Sequence, residues 1–229
     1  YYMYPAGTAV SVASDSTSVE FVSTGFKLDN NWDGINHSGE TYGAVGIRAN
    51  GGTTSTNTQG DVNSTVQVDP SGHFSIVTYV GTLSSGGVET VGHGLSSAPD
   101  YIVTKSTTTV GNWWMFNSGQ TSWNYGMNWN TGGVSVDKSG NGSMSAPTST
   151  VFSTNWTDGM NEGSGKTMIA YCFANCEGYI QSGSYKGNAN TNGTFVYTGF
   201  RPEYLLIKYT GSGESWINNT DSSMSYNGD

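Results

Sequence analysis

Short apolar runs alternate along the chain with clusters of Gly, Ser, Thr and Asn, and no stretch shows helical periodicity. Residues 74–80, Phe-Ser-Ile-Val-Thr-Tyr-Val, and residues 88–91, Val-Glu-Thr-Val, read as two strands of a hairpin closed across 83–87. Residues 101–105 and 204–209 are apolar on both faces, as in strands buried inside a sandwich, and 167–174 is a further strand. Gly-Gly, Asn-Gly and Ser-Gly steps separate these runs at short spacing, which favours antiparallel turns. The pattern predicts an all-β chain. Residues 51–70 are polar and rich in Gly, Thr, Ser and Asn, and are expected to form a linker or long loop.

The chain also repeats itself. Ala98-Pro99-Asp100-Tyr101-Ile102-Val103-Thr104-Lys105 aligns with Arg201-Pro202-Glu203-Tyr204-Leu205-Leu206-Ile207-Lys208. The same register pairs Trp113 with Trp216, and Ser122-Trp123-Asn124 with Ser225-Tyr226-Asn227. Ser38-Gly39-Glu40-Thr41-Tyr42 resembles Ser164-Gly165-Lys166-Thr167-Met168, each after a strand containing Phe. Agreement at several separated positions in one register is the signature of an internal repeat. The expected architecture is tandem antiparallel β-sandwich or jelly-roll units of roughly 100 residues each. Residues 1–50 would form the back half of a first unit, 71–177 a complete second unit, and 178–229 the front half of a third. The opening Tyr1 and the closing Asn227-Gly228-Asp229 read as cuts within a longer polypeptide.

Composition narrows the function. The net charge is −9, with only 8 Lys and Arg, scattered rather than clustered. A nucleic-acid binder needs basic side chains to displace phosphate counterions, so nucleic acid is not expected as a partner. Membrane insertion is not expected either, since no apolar run reaches bilayer length. Aromatic residues make up 13% of the chain, more than a disordered polymer carries.

The chemistry-bearing residues read as structural. Cys172 and Cys176 would lie roughly 13 Å apart on one strand. A disulfide needs Cα atoms within about 7 Å, so both thiols are expected to be unpaired. Two thiols and three distant histidines do not make a metal site, and no cofactor is expected. No Asp-x-Asp-x-Asp-Gly loop for calcium occurs. His93 sits in a Gly-His-Gly turn with Asp100 downstream, but no nucleophile elbow accompanies them. The acid pairs Asp29 and Asp33, and Asp158 and Glu162, fall in Gly-flanked loops, where carboxylates satisfy turn backbone rather than flank a glycosidic bond. No catalytic residue is assigned. Trp129, flanked by Asn128 and Asn130 in a polar, Gly-rich stretch, is the candidate for ligand binding: an aromatic among amides suits stacking on a sugar. Trp113 and Trp216, repeated in register, are expected in the core.

Taken in order, His93-Gly94-Leu95, Ala98-Pro99-Asp100, a strand ending in Lys105, Ser149-x-Val151-Phe152-Ser153 and Ala170-Tyr171-Cys172-Phe173-Ala174 resemble a repeat module of virion proteins from tailed phages, especially marine ones. Gly193-x-Phe195-Val196-Tyr197-x-Gly199-Phe200-Arg201-Pro202 carries the same likeness into the third unit. The module is sometimes described as SPRY-like or lectin-like. The resemblance implies a non-enzymatic structural protein of the virion, a tail fibre or other exposed appendage assembled in the host cytoplasm. Its partners would be copies of itself and other virion proteins, with a host surface glycan as a further partner. A carbohydrate-binding adhesin and a capsid-decorating protein are the alternatives. The first unit departs from the pattern at Gly43-Ala44-Val45-Gly46-Ile47, where the Ala-Tyr-Cys-Phe strand would sit.

Overall fold

The computed structural model describes residues 19–28, 36–39, 44, 46–161 and 163–211, together with the backbone of Trp216–Thr220. The fold is all-β. Its strands are β1 (Glu20–Val22), β2 (Gly25–Lys27), β3 (Ser55–Asn57), β4 (Ser64–Val68), β5 (Phe74–Val80), β6 (Val88–Gly92) and β7 (Tyr101–Ser106). They continue with β8 (Trp114–Asn117), β9 (Tyr125–Asn128), β10 (Val136–Asp137), β11 (Val151–Asn155), β12 (Thr167–Phe173), β13 (Tyr204–Lys208) and β14 (Trp216–Thr220).

One eight-stranded antiparallel sheet runs in the order β10-β9-β8-β7-β12-β5-β4-β3. A second layer, the pair β6–β11, packs across its centre. β12 shows why. Met168, Ala170 and Cys172 point into the layer contact and are fully buried, while Ile169, Tyr171 and Phe173 point to the other face and are half-buried. That two-residue alternation is the strand period itself. The inward set joins Val66, Val77, Tyr79 and Ile102 from the sheet to Val91 and Phe152 from the second layer. Tyr79 and Phe152 meet edge-on, with ring centroids 6.1 Å apart. The result is a β-sandwich-like fold.

Two expectations are corrected. β5 and β6 do not form a hairpin: β5 has β4 on one edge and β12 on the other, and β6 crosses to the second layer to pair with β11. The connection is drawn off by a distant side chain. Buried Asn161 accepts hydrogen bonds from the Thr82 and Leu83 N–H groups, and Gly163 N–H donates to Leu83 O at 3.0 Å. The connection is thereby fixed to the 161–166 loop instead of folding back as a tight turn. Nor is 51–70 a linker, for it supplies β3 and β4 to the large sheet. Val62, Ser64 and Val66 alternate inward and are buried among polar neighbours that face out. The same segment ties the two layers together: Val62 N–H donates to Thr90 O, and Asp61 and Thr90 bond each other through backbone and side chain. Gly60 approaches so closely that a Cβ there would lie 2.4 Å from Thr90 O.

β13 and β14 form a separate two-stranded sheet. Its ladder pairs Tyr204 with Thr220 and Lys208 with Trp216, whereas β7–β8 pairs Tyr101 with Asn117 and Thr104 with Trp114. Adding 103 to both partners of Tyr101–Asn117 gives Tyr204–Thr220, so the two hairpins share one register. Upstream of this hairpin the corresponding stretches, 78–100 and 181–203, differ. Residues 181–203 contain no strand where the earlier segment holds the end of β5 and the whole of β6.

Candidate functional site

The outward face of the large sheet carries a belt of rings set by the alternation described above. Phe74 and Phe173 meet at 4.8 Å between centroids, Phe173 and Tyr101 at 5.8 Å, and Tyr101 and Trp129 at 6.2 Å, the last edge-on. Trp113 stacks on Tyr171 at 6.2 Å with planes 22° apart. Val103, Met115 and Met127 fill the space between them. Trp129 is therefore half-buried, packed on this cluster rather than standing clear as a platform. Trp113 is buried, as its place in the repeat predicts; the side chain of Trp216 lies outside the described residues.

The flanking amides have different fates. Asn130 accepts a hydrogen bond from Trp113 N–H at 3.0 Å and donates to Asn112 Oδ1 at 3.1 Å, which ties it to the start of β8. Asn128 keeps a buried side-chain oxygen with no hydrogen-bond partner among the described residues. Tyr101 has a hydroxyl in the same condition. Burial, and then the nearby Tyr204, raise that hydroxyl well above the ordinary tyrosine range, so it stays protonated. The face thus presents a partly open Trp129 ring beside the neutral Tyr101 phenol, while Asn128, the cross-strand partner of Trp114, belongs to the other face of the sheet.

The remaining candidates are structural in their contacts. His93 is fully buried; its Nε2 meets Thr148 O at 3.1 Å and its Nδ1 accepts from Leu95 N–H at 3.0 Å. That arrangement fixes a neutral ring with the proton on Nε2, and burial lowers its pKa. Asp100 accepts instead from Asn175 N–H at 2.9 Å, so the two residues form no dyad. Asp158 accepts from Asn112 N–H at 3.2 Å, and Asp29, Asp33 and Glu162 lie outside the described residues. Cys172 and Cys176 are both unpaired. Burial pushes the Cys172 thiol up to about 12, which leaves it unreactive near neutral pH. Among the described residues no three His, Cys, Asp or Glu side chains gather as a metal site. A cavity beneath Trp123, Met144 and Pro147 encloses about 10 Å³, the scale of one water molecule rather than a ligand.

Sequence reasoning missed Lys105. It is fully buried at the end of β7, with Nζ donating to Gly111 O at 2.8 Å. Its only sequence signal is that the Lys-ended strand recurs at Lys208, which donates to Thr131 O at 2.8 Å.

A family model of a domain of unknown function, DUF7483, matches residues 2–228. The chain belongs to that family. The DUF7483 match runs as one span over both hairpins and the aromatic belt. No curated protein and no solved structure matches this DUF7483 chain.

Proposed function

We propose that the chain is a structural module of a tailed-phage virion, of the tail-fibre or exposed-appendage kind, built from repeating β units and without a catalytic role. The observation that carries this reading is the hairpin found twice in one register, in β7–β8 and again in β13–β14. Repeated supersecondary units are a common way to build an extended, self-associating body. The backbone-committed His93 and Asp100 favour a structural role over a catalytic one. The test is location on intact particles, by cross-linking mass spectrometry of purified virions that contain the protein. The expected result is cross-links from this chain to tail or fibre proteins. Cross-links to the capsid shell alone would replace the reading with a decoration protein, and absence from particles would overturn both.

The half-buried Trp129 ring, edge-on to Tyr101 and its partnerless hydroxyl, favours a second reading, a carbohydrate-binding adhesin module. Binding to a glycan array that is lost in Trp129→Ala would support it. Equal binding by the variant, or no binding at all, would remove this site from consideration.

A further inference from the structure

Two exposed segments near opposite ends of the described chain match two strands that pair with each other in its middle. β11 and the residue after it read Val151-Phe152-Ser153-Thr154-Asn155-Trp156; residues 21–26 read Phe21-Val22-Ser23-Thr24-Gly25-Phe26. Both are apolar, apolar, Ser, Thr, a small or amide residue, then an aromatic. β6 and the two residues after it read Val88-Glu89-Thr90-Val91-Gly92-His93-Gly94; residues 193–199 read Gly193-Thr194-Phe195-Val196-Tyr197-Thr198-Gly199. Each of these leads into a Pro-acid-Tyr strand, β7 or β13.

In the middle of the chain the two strands complete each other. Phe152 pairs with Val91, and both are fully buried, at 1% and 0% exposure. The matching residues are not covered. Val22 and Val196 are each 44% exposed, with Phe21 at 88%, Phe195 at 85% and Tyr197 at 80%. Residues 193–199 are in no strand. Residues 21–26 fold on themselves as the β1–β2 hairpin, whose three residue pairs form a sheet separate from both layers, with the exposed ion pair Lys27–Glu20 across it. Isolated two-stranded hairpins are marginal in water, and exposed ion pairs add little.

We infer that the 193–199 segment of one chain takes up residues 21–26 of a second copy as an antiparallel strand, in the register of β6 with β11. Carried across, that register sets Phe21 opposite Tyr197, Val22 opposite Val196 and Thr24 opposite Thr194. The valine pair takes the buried position that Phe152 and Val91 occupy. The contact joins two different surfaces, so it runs head to tail and propagates. Strand addition of this kind draws affinity from backbone hydrogen bonds and specificity from alternate side chains. The inference rests on the repeat behind the proposed function, and not on the virion.

Two proline variants test it, since proline removes a ladder donor and neither site is in the core. In sedimentation velocity the unaltered chain should associate as its concentration rises. Val22→Pro and Val196→Pro should each stay monomeric, with unchanged circular dichroism and melting temperature. Mixed in equal amounts they should form a 1:1 dimer and nothing larger, because each retains the end that the other lacks. A mixture that stays monomeric, a single variant that still associates, or an unaltered chain that is monomeric up to its solubility limit would overturn the inference. None of these outcomes bears on particle location, and absence from particles would not alter the mixing result.

Discussion

The hairpins β7–β8 and β13–β14 share a register and a Lys-ended first strand, yet their surroundings differ. β7 has β8 on one edge and β12 on the other, and the second layer lies over Ile102. β13 has β14 and no second strand among those described, and Leu205, which aligns with Ile102, is 41% exposed. The comparison separates two causes. The strand runs and the distance between them set the register, so it recurs wherever the sequence recurs. Burial depends on what packs alongside, and only the middle of the chain supplies β12 and the second layer.

The widest contrast should appear in stability. Ile102→Ala removes a buried side chain beneath Phe152 and should cost about 2–5 kcal/mol. Leu205→Ala should change stability by no more than about 0.5 kcal/mol. Urea denaturation of both variants checks this, and a large loss at Leu205 would mean that β13 has a core of its own. The two lysines sharpen the comparison further. Lys105→Met keeps the apolar stem but leaves the buried Gly111 carbonyl without its donor, at about 1–3 kcal/mol. The same change at half-buried Lys208, whose Thr131 acceptor is open to water, should cost less, no more than about 1 kcal/mol. Equal effects would break the distinction.

A smaller effect concerns pH. His93 is neutral and buried, and the stretch that aligns with it in the sequence repeat, around Thr198-Gly199-Phe200, has no imidazole. Its folded pKa lies below the free value of about 6.5, so between the two the unfolded chain binds the proton and the folded one does not. This contribution is fully present above the free value and is lost as pH falls toward the folded one. The urea midpoint should therefore drop between pH 7 and pH 5, and His93→Gln should reduce the slope. An unchanged slope in the variant would show that another group is responsible. Smallest is thiol labelling. Ellman's reagent should modify Cys176 in the native protein and reach Cys172, on β12, only after denaturation. Rapid labelling of both would mean that β12 does not seal β7.

β7, β12 and β13 were legible because their apolar runs are continuous or alternate cleanly, and the hairpin register was legible as a repeat. The path from β5 to β6 was not, because it is set by Asn161, 79 residues beyond Thr82 in the chain. A Gly-Gly cluster marks a turn but not which strand lies across it. β4 was hidden by its outward Thr65 and Gln67, which make the segment look uniformly polar. At the candidate site, the Asn-Trp-Asn triplet pointed to Trp129, but its seating against Trp113 and Tyr101 depends on strands brought together by the sheet. The fully buried Lys105 stood out only as a repeated letter, since a charged residue at a strand end ordinarily marks solvent.

Hydrogen exchange read residue by residue compares the two hairpins most directly. With the chain dilute, amides of β7 should exchange only through global unfolding, and those of β13 through local opening, many times faster. Equal protection of Tyr101–Ser106 and Tyr204–Lys208 under those conditions would contradict the claim that one register is shared while burial is not.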